Sequence, residues 1–133
     1  MEKTAFLEKL TDKIAGILYF SESEYPLTIE QWGILPAATL PEKIATLNVV
    51  EQNVLRPVNA DDFFNEIERT ADPNDKPIVE NAQKFKTLYQ FLKENLSNIQ
   101  VTRVETGASI PVYITGFLPD GSCIALQTTS IES

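Results

Sequence analysis

Residues 77–104, PIVENAQKFKTLYQFLKENLSNIQVTRV, contain the clearest helical pattern of the chain and, directly after it, a strand pattern. The apolar side chains of the first part recur at the three- and four-residue spacing of one helix face; they are Ile78, Ala82, Phe85, Tyr89, Leu92 and Leu96. Residues 99–104 then predict a strand. A long helix over residues 77–96 followed at once by a strand indicates a fold in which helices pack on a sheet.

The last third of the chain predicts two further strands. Residues 110–115 place Ile110, Val112 and Ile114 on one face of a strand. Pro111 indicates that this strand lies near a sheet edge or that the proline stands at its first residues. The turn signal LPDGS at residues 118–122 leads into a strand over residues 123–131. Strands joined in this way predict an antiparallel meander.

The first half of the chain predicts the helices and one more strand. A helix is expected over residues 4–19, a strand over 27–32 and a short helix over 41–47, with Pro41 in its first turn. Asn59 is expected to cap a helix over residues 60–69. Taken together, the predicted helices and strands indicate an α+β domain with helices packed on a small, mainly antiparallel sheet. We expect residues 1–133 to form this single domain.

Composition excludes several kinds of chemistry. The chain has 133 residues with no histidine, which removes imidazole bases and histidine-ligated metal sites. Its one cysteine, Cys123, cannot form a disulfide within the chain, and its place in a predicted strand favours a small buried hydrophobe over a catalytic thiol.

Charge narrows the range of partners. The chain carries 11 basic and 19 acidic residues, a formal net charge of −8. Such a surface repels phosphate backbones and anionic membranes, so we expect neither nucleic-acid nor membrane binding, and it attracts basic proteins. No signal peptide or membrane span is recognised, and with the lone cysteine this predicts a cytoplasmic location.

The acidic residues are concentrated in stretches with few basic ones. Residues 14–42 contain no Lys or Arg, and neither do the residues after Arg103. A solvated surface explains any single carboxylate in these stretches, whereas the set predicts an acidic binding face. The alternative of an enzyme is weaker, because the chain has no calcium-loop spacing, no Gly-rich phosphate loop and no nucleophile elbow. A carboxylate-based hydrolase would require two acids in a concave pocket.

The hexapeptide SESEYP at residues 21–26 places Glu22 and Glu24 two positions apart, so an extended backbone would point both carboxylates the same way. Together with LKENLSNIQVTRV (92–104), VYI (112–114) and IES (131–133), it resembles the nuclease A inhibitor family of bacterial proteins. The similarity covers nearly the whole chain and is densest over residues 17–26 and 92–133.

The resemblance implies a three-layer α-β-α sandwich and a cytoplasmic inhibitor of a sugar-nonspecific, metal-dependent nuclease. It implies that Glu22 reaches the catalytic metal of the nuclease and that the carboxylate of Ser133 enters the same site. Glu24 is either a contact to basic groups at the rim or a solvated acid. The other possible rim contacts are Tyr25, Glu132 and Asp75.

Two positions depart from the family pattern. The aromatic expected before the long helix is replaced by Asp75-Lys76-Pro77, and Ser133 stands where the family ends in Thr. Our hypothesis is a one-to-one protein inhibitor of a nonspecific endonuclease, with no catalysis and no cofactor or metal of its own. The alternative is an acidic binding module of the same fold that regulates a different basic partner.

Overall fold

Helices and strands alternate irregularly along the computed structural model, which describes residues 2–133. The helices are α1 (Lys3–Ile14), α2 (Leu40–Asn48), α3 (Ala60–Arg69) and α4 (Lys76–Asn95). The strands are β1 (Leu18–Phe20), β2 (Glu24–Pro26), β3 (Thr28–Ile34), β4 (Leu55–Val58), β5 (Ser97–Val104), β6 (Ser109–Phe117) and β7 (Ser122–Ile131). Within these residues no helix is long and apolar enough to cross a membrane.

Five strands form one antiparallel sheet in the order β3-β7-β6-β5-β4. The predicted meander, β5 to β7, makes up its centre, and β3 and β4 form its two edges. The two short strands β1 and β2 form a separate hairpin. The expectation of a mainly antiparallel sheet is therefore confirmed.

Both faces of the sheet are covered by helices. Each face of the sheet has its own hydrophobic core. Neighbouring residues of β6 contribute to different cores, because successive side chains of a strand point to opposite faces. Val112 and Ile114 belong to the core that also contains Phe6 of α1, Phe64 of α3 and Phe85 of α4. Between them in the strand, Tyr113 packs instead with Ile44 of α2. The arrangement is an α-β-α sandwich, with α1, α3 and α4 on one face and α2 on the other.

The helices with local start signals lie where the sequence predicts them. α3 spans the predicted residues 60–69, and the side chain of Asn59 accepts a hydrogen bond of 3.0 Å from the backbone N–H of Asp62. α4 starts one residue before its predicted position and ends one residue before its predicted end. α2 extends the predicted short helix by one residue at each end. Capping and apolar spacing are local, so the sequence alone was sufficient here.

The predicted helix over residues 4–19 is wrong in its last third. α1 ends at Ile14, and Gly16 follows with a positive φ of 78°, a conformation that glycine adopts at little cost. Leu18–Phe20 forms strand β1 instead, paired with Glu24–Pro26. Ile17 is buried, as the apolar pattern required, but it is buried beside the hairpin rather than on a helix face.

The edge position suggested by Pro111 is also wrong. Pro111 lies in β6, the central strand of the sheet, near the beginning of that strand. The pairing of β6 with β5 extends only as far as Val112 opposite Arg103, while Pro111 is still paired with Thr129 of β7. A proline is tolerated where one ladder has already ended, which is the second of the two positions the sequence allowed.

Candidate functional site

The hexapeptide at residues 21–26 forms the turn and the second strand of the β1–β2 hairpin. Phe20 pairs with Glu24, so residues 21–23 form the hairpin tip, where the N–H of Ser21 donates to the carbonyl of Ser23 at 2.9 Å. Glu22 stands at this tip and is exposed. Because the tip is bent rather than extended, the condition for Glu22 and Glu24 to point the same way is not met.

The hairpin covers a part of strand β7 that β3 leaves unpaired. The pairing of β3 with β7 begins at Thr28 opposite Gln127, so the last residues of β7 lie beyond it. The N–H of Glu22 donates to the carbonyl of Ile131 at 3.1 Å, and the N–H of Ile131 donates to Ser21 Oγ at 2.9 Å. These bonds satisfy backbone groups of a strand edge and fix the hairpin tip beside the end of β7.

This docking brings Glu22 and Ser133 together. The backbone N–H of Ser133 donates to Glu22 Oε2, and Ser133 Oγ donates to Glu22 Oε1 at 2.7 Å. The backbone N–H and then the hydroxyl of Ser133 lower the pKa of Glu22, so its carboxylate stays ionised at neutral pH. An ionised carboxylate can accept about four hydrogen bonds, which leaves acceptor capacity on Glu22 for a partner.

Glu132 fixes the residues that precede Ser133. Its Oε2 accepts hydrogen bonds of 2.7 Å from Ser130 Oγ and of 2.7 Å from Arg103 Nη2. Its N–H donates to the carbonyl of Ala108 at 2.8 Å. The Ser130 hydroxyl and the Arg103 guanidinium lower the pKa of Glu132. Glu132 is therefore an anchor of the C-terminal tail, and its prediction as a rim contact remains a prediction.

Sequence reasoning missed Arg103 and Ser130 as parts of this site. Arg103 also donates to Glu105 at 3.0 Å, so one guanidinium holds two carboxylates. One signal was present in the sequence. Arg103 is the last basic residue of the chain, and all the charged side chains after it are acidic. This pattern showed a shortage of cations, but it did not show which carboxylates the last cation would bind.

The other predicted rim residues occupy different surroundings. Glu24 and Tyr25 lie in β2 and are exposed, with the ring of Tyr25 on the opposite side of the strand from Glu24. Asp75 caps α4 by accepting a hydrogen bond of 3.3 Å from the N–H of Ile78. None of the hydrogen bonds or ion pairs found within residues 2–133 joins Asp75 to the Glu22 tip.

Glu22 and Glu24 do not form the site that a carboxylate-based hydrolase requires. Such an enzyme needs a carboxyl with a raised pKa in a partly apolar pocket. Glu22 is instead exposed, and its pKa is lowered. Across the described residues, no group of three or more Asp, Glu or Cys side chains is arranged to hold a metal ion.

The structure is thus an α-β-α sandwich that holds an ionised glutamate on an exposed hairpin tip. A comparison with protein-family models matches residues 4–133 to the model described as nuclease A inhibitor-like protein. The chain therefore belongs to the nuclease A inhibitor-like family, as the sequence resemblance predicted. Membership of an inhibitor family indicates a nuclease-inhibitor role that is exerted on a protein partner. A search of curated proteins finds no match.

Proposed function

We propose that this protein inhibits a nonspecific, metal-dependent DNA/RNA nuclease by placing Glu22 in the nuclease active site, in a one-to-one complex. The observation that carries the proposal is the pair of hydrogen bonds from Ser133 to the exposed carboxylate of Glu22. They hold an ionised group at a protruding tip in a defined orientation. An inhibitor preorganised in this way loses less conformational freedom when it binds.

The chemistry of the target explains why a carboxylate is suited to this role. A divalent ion that activates a scissile phosphate prefers hard oxygen ligands, and Glu22 offers one. The inhibitor needs no metal or cofactor of its own, because the ion belongs to the nuclease. We propose a location in the bacterial cytoplasm, which the family resemblance supports and which cell fractionation would test.

The charge of the remaining surface supports the same partner. A nuclease cleft that holds DNA is basic, and the formal charge of −8 favours rapid association with it. Glu24 and Tyr25 flank Glu22 on the hairpin and are the rim contacts we propose first. Asp75 and Glu132 are secondary, since Asp75 caps α4 and the charge of Glu132 is already paired with Arg103.

The first experiment is a cleavage assay with rising amounts of inhibitor. A purified nonspecific metal-dependent nuclease from the same genome is incubated with plasmid DNA and with RNA. Inhibition of both substrates should be complete near a one-to-one molar ratio. Cleavage that is unaltered by excess protein would contradict the proposal for that nuclease.

The second experiment is the substitution Glu22→Gln, which keeps the shape of the side chain and removes its charge. We expect the inhibition constant to rise at least about tenfold, because a charge contact in the active site is lost. Glu94→Gln is the matched control. Glu94 is exposed near the end of α4, about 20 Å along the helix from Asn81, which contacts Leu18 of the hairpin. Equal inhibition by wild type, Glu22→Gln and Glu94→Gln would remove Glu22 from the mechanism.

The role of Ser133 separates into a hydrogen-bonding part and a charged part. Ser133→Ala removes only the hydroxyl bond to Glu22, whereas a glycine appended after Ser133 keeps both bonds and moves the α-carboxylate. If that carboxylate enters the nuclease site, the appended glycine weakens inhibition more than Ser133→Ala does. The reverse order would leave Ser133 as an anchor for Glu22 alone.

A second candidate function is an acidic binding module that regulates a different basic protein. It is favoured by the segment before α4, where Asp75 caps the helix in place of the aromatic that the family pattern leads us to expect. Affinity capture from the source cell distinguishes the two candidates. Recovery of a nuclease supports inhibition, and recovery of another basic protein whose binding requires Glu22 supports the module.

A further inference from the structure

A cavity of about 700 Å³ opens beside the hairpin, and Phe20, which precedes the Glu22 tip, is one of its lining residues. It lies between β1, the β4–β5 end of the sheet, α3 and the first turns of α4. This volume is within the range of about 300–1,000 Å³ that is usual for small-molecule sites. Nothing in the proposed contact with a nuclease uses it.

One side of the cavity is apolar and aromatic. It is lined by Phe63 and Ile67 of α3 and by Phe85 of α4. Phe20 of β1 lines it on the side of the hairpin. Phe20 is 40% exposed, although it stands next to a well-packed core. A large aromatic side chain left half open beside other rings provides a surface on which an apolar ligand can pack.

The other side of the cavity carries two arginines that face each other. Arg56 of β4 and Arg103 of β5 are directly paired in the sheet, and both line the cavity. Like charges in such a cross-strand pair destabilise the sheet. Glu105 Oε2 accepts a hydrogen bond of 3.0 Å from Nε of Arg103, and it lies 3.0 Å from Nε of Arg56, with which it forms an ion pair. Glu105 therefore lies between the two guanidinium groups, and Arg103 has Glu132 as a second carboxylate partner.

The two arginines keep unused hydrogen-bond donors. Within residues 2–133, the ion pair of Arg56 is made through Nε, and both of its terminal nitrogens are without a protein partner. Arg103 donates through Nε and Nη2, which leaves Nη1. The chain contains three arginines in all, and two of them line this cavity.

Acidic groups limit where an anion can lie. Asp62 and Glu66 line the α3 side of the cavity. The carboxylate of Glu66 is bonded to Arg69 Nε at 3.1 Å, whereas Asp62 stays an uncompensated acid in the first turn of α3. Glu105 also lines the cavity, at Nε of both arginines, so an anionic group is favoured only at the strand end, at the terminal nitrogens of Arg56.

We propose that this cavity binds a small amphipathic anion, with a carboxylate or sulfonate head and an aromatic or aliphatic body. The head accepts hydrogen bonds from the terminal nitrogens of Arg56, and the body packs against Phe20, Phe63 and Ile67. The proposal does not depend on nuclease inhibition, since it concerns binding by the free protein.

The test compares two fluorescent probes that share one body. The first is 8-anilinonaphthalene-1-sulfonate, an aromatic anion, and the second is N-phenyl-1-naphthylamine, the same rings without the sulfonate. Titration of the full chain should show saturable binding of one sulfonate probe per molecule, tighter than that of the neutral probe.

Substitutions locate the site. Arg56→Gln should weaken the sulfonate probe about tenfold, through loss of charged hydrogen bonds, and leave the neutral probe unchanged. Arg56 is 70% exposed, so the fold should tolerate the change. Ala71→Trp, at the cavity wall, should weaken both probes. Lys86→Gln is the control, because Lys86 pairs with Glu68 on another surface.

Equal binding of the two probes, or the same loss in Lys86→Gln as in Arg56→Gln, would overturn the proposal. It would also be overturned if Arg56→Gln weakened binding of a nuclease but left the sulfonate probe unaffected. In that case the arginine would serve a protein partner rather than a small anion.

Discussion

Glu22 accepts two hydrogen bonds from Ser133, a residue 111 positions further along the chain. The contact exists because the β1–β2 hairpin docks on the end of β7, where it binds the backbone of Ile131. A glutamate in a polar loop would otherwise sample many rotamers. Held by Ser133, it becomes a defined feature of the surface, which is what a site for a rigid partner requires.

The pH dependence of the Glu22–Ser133 contact follows from its hydrogen bonds. A carboxyl whose pKa is lowered on folding adds stability above its unfolded pKa, about 4.3 for Glu, and this is lost as the pH falls through the folded value. We expect the contact to be complete at neutral pH and to break only at a pH below the ordinary pKa of Glu. NMR titration of the Glu22 side-chain carboxyl should show a midpoint below the ordinary value for Glu, and Ser133→Ala, which removes one of the two lowering hydrogen bonds, should raise it. A midpoint above the ordinary value for Glu would contradict the lowered pKa.

Arg103→Gln should loosen the C-terminal tail. The side chain of Arg103 is only 17% exposed, and it binds both Glu105 and Glu132. Loss of these charged hydrogen bonds should lower the free energy of unfolding by about 1–3 kcal/mol. Urea denaturation measures this loss, and hydrogen exchange should become faster at residues 130–133. Arg69→Gln breaks only an exposed pair with Glu66 and should change stability much less; equal effects of the two substitutions would argue against the anchoring role.

Gly116→Ala should destabilise the contact between α4 and the sheet. A Cβ at this position of β6 would lie 2.9 Å from both Cβ and Cδ1 of Leu96, which is buried at the end of α4. Overpacking of this kind costs about 1–3 kcal/mol. Gly107→Ala is the control, since a Cβ there meets no atom within 4 Å. Chemical denaturation of both variants checks the prediction, which fails if Gly116→Ala is as stable as the wild type.

Cys123 should be unreactive in the folded protein. It is fully buried in β7, and burial raises the pKa of its thiol to about 11. At pH 8 very little thiolate is present, and the reagent has no access to it. Ellman's reagent should therefore label the native chain very slowly and label one thiol per chain at once in concentrated urea. Rapid labelling without denaturant would show that the β7 strand opens readily.

The parts of the fold that could be predicted depend on neighbours within a few residues. The apolar spacing of Phe85, Tyr89 and Leu92 is sufficient for α4, and Asn59 is sufficient for the start of α3. Strand alternation around Val112 is equally local. These patterns depend on residues close together in the chain, and the tertiary packing of α3, α4 and β6 is consistent with them.

The error in the first helix lies where the local sequence fits both a helix and a strand. Ile17 and Leu18 fit the apolar face of the preceding helix, and they also fit a strand. The unpaired end of β7 provides backbone partners for the hairpin, and Gly16 allows the chain to turn toward it. That edge is formed by residues more than 100 positions away, so no window around Ile17 contains the information.

The candidate site also has features that the local sequence predicts and features that only the folded chain produces. Local sequence was enough to establish an acidic chain without histidine, a glutamate-rich hexapeptide and a resemblance that singled out Glu22 and Ser133, because charge and motif are properties of neighbouring residues. The contact between Glu22 and Ser133, and the pairing of Arg56 with Arg103, required the folded sheet. Residues far apart in the chain meet only when strand order and register are established, and those depend on the packing of the whole molecule.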